Sequence, residues 1–423
     1  MAIDEIGVRS VGRLLDDGNA ACGRRCRSAV LALLAAAAST VAWAQASPPS
    51  GVDLDSIRAR PGVTWSQAER EFVFAHWDQA FPARPIARGP QARPLPTGAP
   101  LPMFGPGGEG ARELQRSIDE YQLAGIVVLH EGKVRLERYA LGHSATGRWV
   151  SFSVAKSLTS TLLGAALKDG AVASLDDRVT RYIPELRDSA YDGVTLRQLI
   201  TMTSGVAWNE DYADPTADVA RFYAAPVEPG MDATVSYMRK LRREGPPGHR
   251  WHYDTGETNL LGVVVARATG KNLATYASEK IWARYGMEQD ASWMLDRSGH
   301  EHGGCCIEAT TRDFARFGQF VLDGARIDGR PVVADGWLEA ATRKQADIGQ
   351  PGRGYGYQWW TVDNGTWYAF GIHGQQIHVD PARRVVVAFN SAWPTAYSAE
   401  AVAARAALIL AIRRAIDSET HAR

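Results

Sequence analysis

Strand-forming sequence stands near both ends of this chain with helix-forming sequence between, and that order leaves few ways to build a core. GIVVLHEGKVRLERYAL (125–141) reads as a hairpin: an apolar strand, a Glu131-Gly132 turn, then alternation through Val134, Leu136 and Arg138. Far downstream, YGYQWWTV, TWYAFGI, QQIHVD and RVVVAF follow one another at hairpin spacing between 355 and 389. The stretch between, roughly 171–300, is mostly helices and loops. One antiparallel sheet must then be assembled from sequence-distant strands. The helices ARELQRSIDEYQL and SAEAVAARAALILAIRRAI bracket it and would pack on one face. The expected class is α/β, of the α+β type, with a mostly helical inserted subdomain.

The N-terminus is set aside first. Arg24, Arg25 and Arg27 precede the apolar run SAVLALLAAAASTVAWA, which ends in a small-x-small site at Ala42-Trp43-Ala44. This is the layout of a secretory signal peptide over 1–44, and the run is short and alanine-rich for a stable membrane span. A periplasmic or secreted protein is expected, with no span left after cleavage. Cys22 and Cys26 would leave with the leader, and the adjacent pair Cys305-Cys306 cannot cross-link distant parts of the fold. Stability must come from the core.

Residues 45–110 read as a proline-rich extension with one helix, and 111–423 as the main domain. TWSQAEREFVFAHWDQAF carries a capping box, Ser66 with Glu69, and apolar anchors Phe72, Trp77 and Phe81. PARPIARGPQARPLPTGAPLP has too many prolines for regular structure and is expected to run extended over a surface. Lys plus Arg equals Asp plus Glu at 47 each, so no global field recruits nucleic acid or anionic membrane. A small molecule is the expected partner; the oligomeric state is left open.

SFSVAKSLTS (151–160) opens a helix that Gly170 ends. Positions three apart on a helix are neighbours, so Ser153 and Lys156 would sit together in its first turn. A hydroxyl becomes a useful nucleophile when a neutral amine takes its proton. A helix N-terminus, and burial under Phe152 and Trp149, would favour that neutral form. A capping serine beside a solvated lysine is the plain alternative.

That stretch resembles the serine-lysine signature of the serine β-lactamase and penicillin-binding-protein superfamily. LDDRVTRYIPEL, VTLRQLITMTSGV, GHRWHYDTGETNLLGVVVARATG, ATTRDFARFGQFVLDG, YGYQWW and GIHGQQIHVDPARRVVVAF follow in the order of the class C β-lactamase-related branch, over roughly 110–415. The variants are most similar to 6-aminohexanoate-dimer (nylon oligomer) hydrolase-like proteins. The resemblance implies a β-lactamase-like fold, a Ser153 acyl-enzyme, an amide or ester substrate, and no cofactor or metal.

It also implies roles that spacing alone does not. Tyr253, in Tyr253-Asp254-Thr255, would relay the Ser153 proton with Lys156; read without the resemblance, it is core packing. Thr255 stands where the family has an asparagine, and Tyr-x-Ser/Thr resembles the nylon-oligomer group. His373, in Gly371-Ile372-His373-Gly374-Gln375-Gln376, replaces the lysine of Lys-Thr-Gly and would be a partly protonated, pH-dependent anchor for a substrate carboxylate. The amides of Ser153 and of a residue near Gln376 would form the oxyanion hole. Tyr212, in NEDYADPTADVARF, is a candidate substrate contact or an exposed loop aromatic. HEHGGCC (300–306) lacks the two-residue gap of zinc knuckles, so no metal is expected there. A β-lactamase or D,D-peptidase is the enzymatic alternative, and a non-catalytic penicillin-binding-like sensor the other.

Overall fold

β-Branched residues fill a pleated, two-sided surface well, and the run Ile126-Val127-Val128 lies antiparallel to Val385-Val386-Val387 in the middle of this protein, with Val128 directly opposite Val387. The computed structural model describes residues 51–60 and 62–421. The expected leader, with Cys22 and Cys26, lies outside them. The strands, numbered along the chain, are β1 (Ala83–Ile86), β2 (Leu123–His130), β3 (Lys133–Tyr139), β4 (Arg148–Val150), β5 (Ala291–Met294), β6 (Ile307–Thr310), β7 (Arg326–Ile327), β8 (Arg330–Pro331), β9 (Arg353–Tyr355), β10 (Trp360–Val362), β11 (Trp367–Gly371), β12 (Gln375–Asp380) and β13 (Val385–Ser391).

Seven of them form one antiparallel sheet in the order β3-β2-β13-β12-β11-β10-β9, so the early hairpin pairs directly with the last strand. Period-two alternation then sorts the side chains. Ile126, Val128, Val387 and Phe389 meet Leu408, Ile412 and Ile416 of the terminal helix Ala399–His421, with Leu114 of helix Glu109–Tyr121. Val127, Leu129, Val386 and Ala388 face the other way, in one apolar cluster with the serine helix Ala155–Lys168 and with Phe314, Phe317 and Phe320 of helix Thr311–Leu322. Burying each such side chain contributes about 1.5–3 kcal/mol. Among the described residues no helix is long and apolar enough to cross a membrane.

Three expectations are corrected. A second, four-stranded sheet, β1-β5-β6-β4, accompanies the first, and its β5 falls in the stretch read as helices and loops. β1 comes from the proline-rich arm; Pro85 is tolerated because β1 lies at the sheet edge, where its missing N–H costs no ladder bond. YGYQWWTV is two strands, broken where Gln358 turns to a φ of +62°.

The rest of the arm does run extended. The Gly98 amide donates to Val134 O and the Val134 amide to Pro96 O, both at 2.9 Å, which closes the open edge of β3. The Ser66–Glu69 capping box starts helix Gln67–Ala75 as expected, and the chain breaks at His76 before a short turn, Trp77–Ala80. Phe72, Phe74 and Trp77 share a buried cluster with Trp149, Val150 and Phe152, so this early helix supports the segment that leads into Ser153.

Candidate active site

β4 carries the chain into the serine turn, and its exit is tied to β6. Ser151 N donates to Ile307 O at 2.7 Å, and Ile307 N donates back to Ser151 Oγ at 2.9 Å. Phe152 follows at a φ of +43°, a backbone state that costs a side-chain-bearing residue about 1–3 kcal/mol. Its ring packs against Phe74, Trp77 and His373, with centroids 4.9, 5.4 and 5.4 Å away. Ser153 then sits in the short turn Phe152–Val154, and Lys156 is the second residue of the helix that follows.

The Lys156 amine is buried and has three oxygen neighbours: Ser153 Oγ at 2.9 Å, Thr255 Oγ1 at 2.9 Å and Gly304 O at 2.8 Å. Burial pushes it down to about 8, against the opposing charges of Glu210 and Asp254. The sequence-predicted pair is therefore brought together, with an amine far more readily neutral than an exposed lysine.

Tyr253 precedes helix Thr255–Thr269, whose N-cap Asp254 accepts from Glu257 N at 3.1 Å. Lys156 Nζ lies 5.1 Å from the Tyr253 ring centroid, and Ser153 is the neighbour that draws its phenol down against burial. Burial, then the charge of Glu210, push this phenol above its ordinary range, so it holds its proton at neutral pH. Its ring stacks on Trp360 at 5.7 Å, and Trp251, Tyr355 and Tyr368 extend this aromatic wall.

Thr255 bonds inward, to Lys156 Nζ on one side and to Glu210 Oε1 on the other. Glu210, which the sequence reading passed over, also accepts from Thr255 N at 3.1 Å, from Trp208 Nε1 and from Tyr212 OH at 2.6 Å. Tyr212 is thus placed at the site by way of Glu210. An acid two residues before a candidate tyrosine gives no local sign of this role. It acquires one when the fold brings residue 210 to the start of a helix 45 residues later.

On the opposite side, β11 runs against the serine turn. A Cβ on Gly371 would lie 2.5 Å from Ser151 O and 3.0 Å from Ser153 N, so this close approach needs a glycine. Gln376 is buried in β12, paired with Phe370 and Phe389. His373 corrects an expectation. It is buried between Phe74 and Phe152, donates from Nδ1 to Trp393 O at 2.7 Å, and is pushed down to about 4 by burial. It is a neutral imidazole at neutral pH and supplies no cation for a carboxylate.

The HEHGGCC segment divides its residues. His302 is buried beside Phe222 and Tyr223 and pushed down to about 4. His300 Nδ1 pairs with Asp232 at 2.6 Å, and with Asp296 they bring three ligand-type atoms within 4.8 Å of one another. Asp296 already accepts from Ser298 N and His300 N. Cys305 and Cys306 are bonded to each other, immediately after the Gly304 carbonyl that Lys156 uses.

The chain and its fold have known relatives. The family model described as Beta-lactamase matches residues 111–412. A 6-aminohexanoate-dimer hydrolase from Paenarthrobacter ureafaciens is 28% identical over 372 residues, covering 84% of this chain and 94% of that protein. A Bacillus anthracis protein, provisionally named a 6-aminohexanoate-dimer hydrolase, has a solved structure that superposes with a TM-score of 0.73 at 25% identity, covering 83% of this chain and 95% of its own. A structure described as a class C beta-lactamase shares the fold, with a TM-score of 0.54 at 17% identity over 71% of this chain and 94% of its own.

Proposed function

The chain belongs to the beta-lactamase family and is a serine hydrolase of that superfamily, and we propose that it cleaves a linear amide or ester of modest size through a Ser153 acyl-enzyme. The observation that carries the reading is the buried Lys156 amine, 2.9 Å from Ser153 Oγ and pushed down to about 8. In its neutral form Lys156 takes the hydroxyl proton as Ser153 Oγ attacks the carbonyl carbon. The Ser153 N–H and a strand amide near Gln376 hold the oxyanion. Tyr253, protonated and next to Ser153 and Lys156, gives its proton to the departing amine or alkoxide and is recharged from Lys156. A water then adds to the acyl carbon by the same route in reverse and releases the acid.

The curated relative's name supports 6-aminohexanoate oligomers as the substrate class. The aromatic wall of Trp251, Tyr253, Tyr355 and Trp360 suits the methylene chain of such a molecule. A neutral His373 favours this reading over a β-lactamase or D,D-peptidase, whose substrates carry a carboxylate for that position. The leader 1–44 supports export to the periplasm or medium.

The test is hydrolysis of p-nitrophenyl butyrate and of 6-aminohexanoate dimer by the wild type and by Ser153→Ala, with intact-mass analysis of quenched reactions. The reading expects turnover and a covalent acyl adduct in the wild type only. Equal rates in both proteins would remove Ser153 from the mechanism.

A further inference from the structure

Hydrogen bonds around Lys156 have a direction, and the partners decide it. Gly304 O is a carbonyl and can only accept, so it takes one amine N–H at 2.8 Å. Thr255 has one hydroxyl proton and two neighbours for it, Lys156 Nζ and Glu210 Oε1. Four donors converge on Glu210: Thr255 N and Trp208 Nε1 on Oε2, Thr255 Oγ1 and Tyr212 OH on Oε1. Four donors fill the four lone-pair sites of an ionised carboxylate, which has no proton to return. The Thr255 proton therefore belongs to Glu210, and Thr255 Oγ1 accepts from Lys156.

A neutral amine has two N–H bonds and one lone pair. With the two N–H bonds directed to Gly304 O and Thr255 Oγ1, the lone pair is left for the third neighbour, Ser153 Oγ. From this we infer that Glu210 is a positioning residue that fixes the direction of the Thr255–Lys156 hydrogen bond and so aims the base at the nucleophile. The inference rests on the reading of Ser153 as nucleophile and Lys156 as its base, and it adds a residue that acts through Thr255.

Substituting Gln for Glu210 tests direction with almost no change of shape. The two donors at Oε2 are N–H groups that cannot accept, so the amide oxygen must stay there. The amide NH2 then faces the two hydroxyls, which can accept. Thr255 Oγ1 would accept from Gln, and its freed proton would turn to the Lys156 lone pair, in competition with Ser153.

Removing the carboxylate charge also acts on the amine directly. The titratable groups that face Lys156 and Glu210 are Asp254, from the N-cap of its helix, and the phenols of Tyr212, Tyr223, Tyr253 and Tyr355. Glu257 adjoins Asp254 on the same helix. Without Glu210, Lys156 loses the larger of its two neighbouring negative charges and becomes easier to deprotonate.

The experiment is a double-mutant cycle on the full chain, with Glu210→Gln, Thr255→Val and the pair, read as kcat, KM and the pH profile of p-nitrophenyl butyrate hydrolysis. Glu210→Gln is expected to lower kcat at least tenfold with KM changed less than threefold. The rising limb of its pH profile, set by loss of the Lys156 proton, should move to lower pH although its plateau falls, a combination that a general loss of structure does not produce. In the Thr255→Val background, which has no hydroxyl to redirect, the same substitution should cost less than twofold. An unchanged kcat in Glu210→Gln, or an equal cost in both backgrounds, overturns the inference. Should Glu210→Gln not fold, Thr255→Val alone decides: a tenfold loss of kcat supports the relay and an unchanged kcat overturns it. Ser153→Ala, assayed in parallel, separates the two claims. If it is inactive while Glu210→Gln matches the wild type, only the role of Glu210 falls; if Ser153→Ala is active, the nucleophile assignment falls with it.

Discussion

The carbonyl of Gly304 lies 2.8 Å from Lys156 Nζ, and no side chain fits at residue 304 without moving that carbonyl. A Cβ there would sit 2.8 Å from Thr255 O, 2.9 Å from Thr255 Cγ2 and 3.1 Å from Asn259 Oδ1, and the first of these is backbone. The Gly304 amide is meanwhile held by Asn259 Oδ1 at 2.7 Å, so the peptide cannot simply swing away. Gly304→Ala should therefore displace both the carbonyl and Thr255, the two acceptors that orient the amine. We expect kcat/KM to fall at least tenfold, with about 1–3 kcal/mol of stability lost to overpacking. Esterase kinetics and urea unfolding on the same preparation measure both.

Activity should rise with pH in the range where Lys156 sheds its proton. Its amine is pushed down to about 8, and only the unprotonated form can accept from Ser153. Below that value the competent fraction drops about tenfold per pH unit, and above it the rate levels off. Initial rates of p-nitrophenyl butyrate hydrolysis between about pH 6 and pH 9, corrected for the uncatalysed reaction, give the limb directly. Lys156→Arg keeps the charge and cannot be deprotonated at any of these pH values, so it should be inactive throughout. A flat profile in the wild type would assign the base elsewhere.

Phe74→Ala should weaken both fold and turnover, although Phe74 touches neither Ser153 nor Lys156 in any contact described above. Its ring lies edge-on to Phe152 at 4.9 Å and 5.2 Å from His373, and it is almost wholly buried. Truncating a buried phenylalanine costs about 3–5 kcal/mol. Here the void would open beside Phe152, whose positive φ holds the serine turn in place. A fall in urea midpoint together with a lower kcat, at similar KM, is the expected pattern. A loss of stability with kcat intact would mean that the turn keeps its shape without the early helix.

The parts that could be read in advance were those whose physics is local. Ser66 and Glu69 announce their capping box three residues apart, and Ser153 and Lys156 announce their side-chain contact by the same spacing. β2 and β13 were legible because an apolar run bounded by turns has little else to become. β1 was not, because Pro85 within it and Pro82 just before it argue against a strand until an edge is there to receive it. His373 misled for a related reason: a histidine in place of a lysine suggests charge, and only the packing of Phe74, Phe152 and Trp393 around it shows that the charge is excluded. Glu210 and Gly304 had no signal at all. Their roles are made of contacts to Thr255 and Lys156 that exist only after the chain has closed.

A second buried acid sets a pH dependence of stability that is independent of catalysis. Glu308 of β6 is fully buried; its carboxyl accepts from Trp77 N at 2.9 Å and Ser292 Oγ at 3.1 Å, with Arg148 3.5 Å away. Burial outweighs Arg148 and, with the nearby charge of Asp78 adding to it, raises the group to about 8. An unfolded glutamate titrates at about 4.3. The fold thus prefers the protonated form, and the stability this gives is complete below the unfolded value. It is lost progressively as pH rises from there to about 8, because the unfolded chain releases a proton that the folded chain must keep or pay burial to release. Glu308→Gln carries a neutral amide at every pH, with its oxygen toward Trp77 N and its NH2 toward the Ser292 hydroxyl. The melting temperature of the wild type should therefore fall relative to that of Glu308→Gln across this window, with the gap widening toward its upper end. Parallel slopes for the two proteins would show that the carboxyl ionises in the fold as easily as in water.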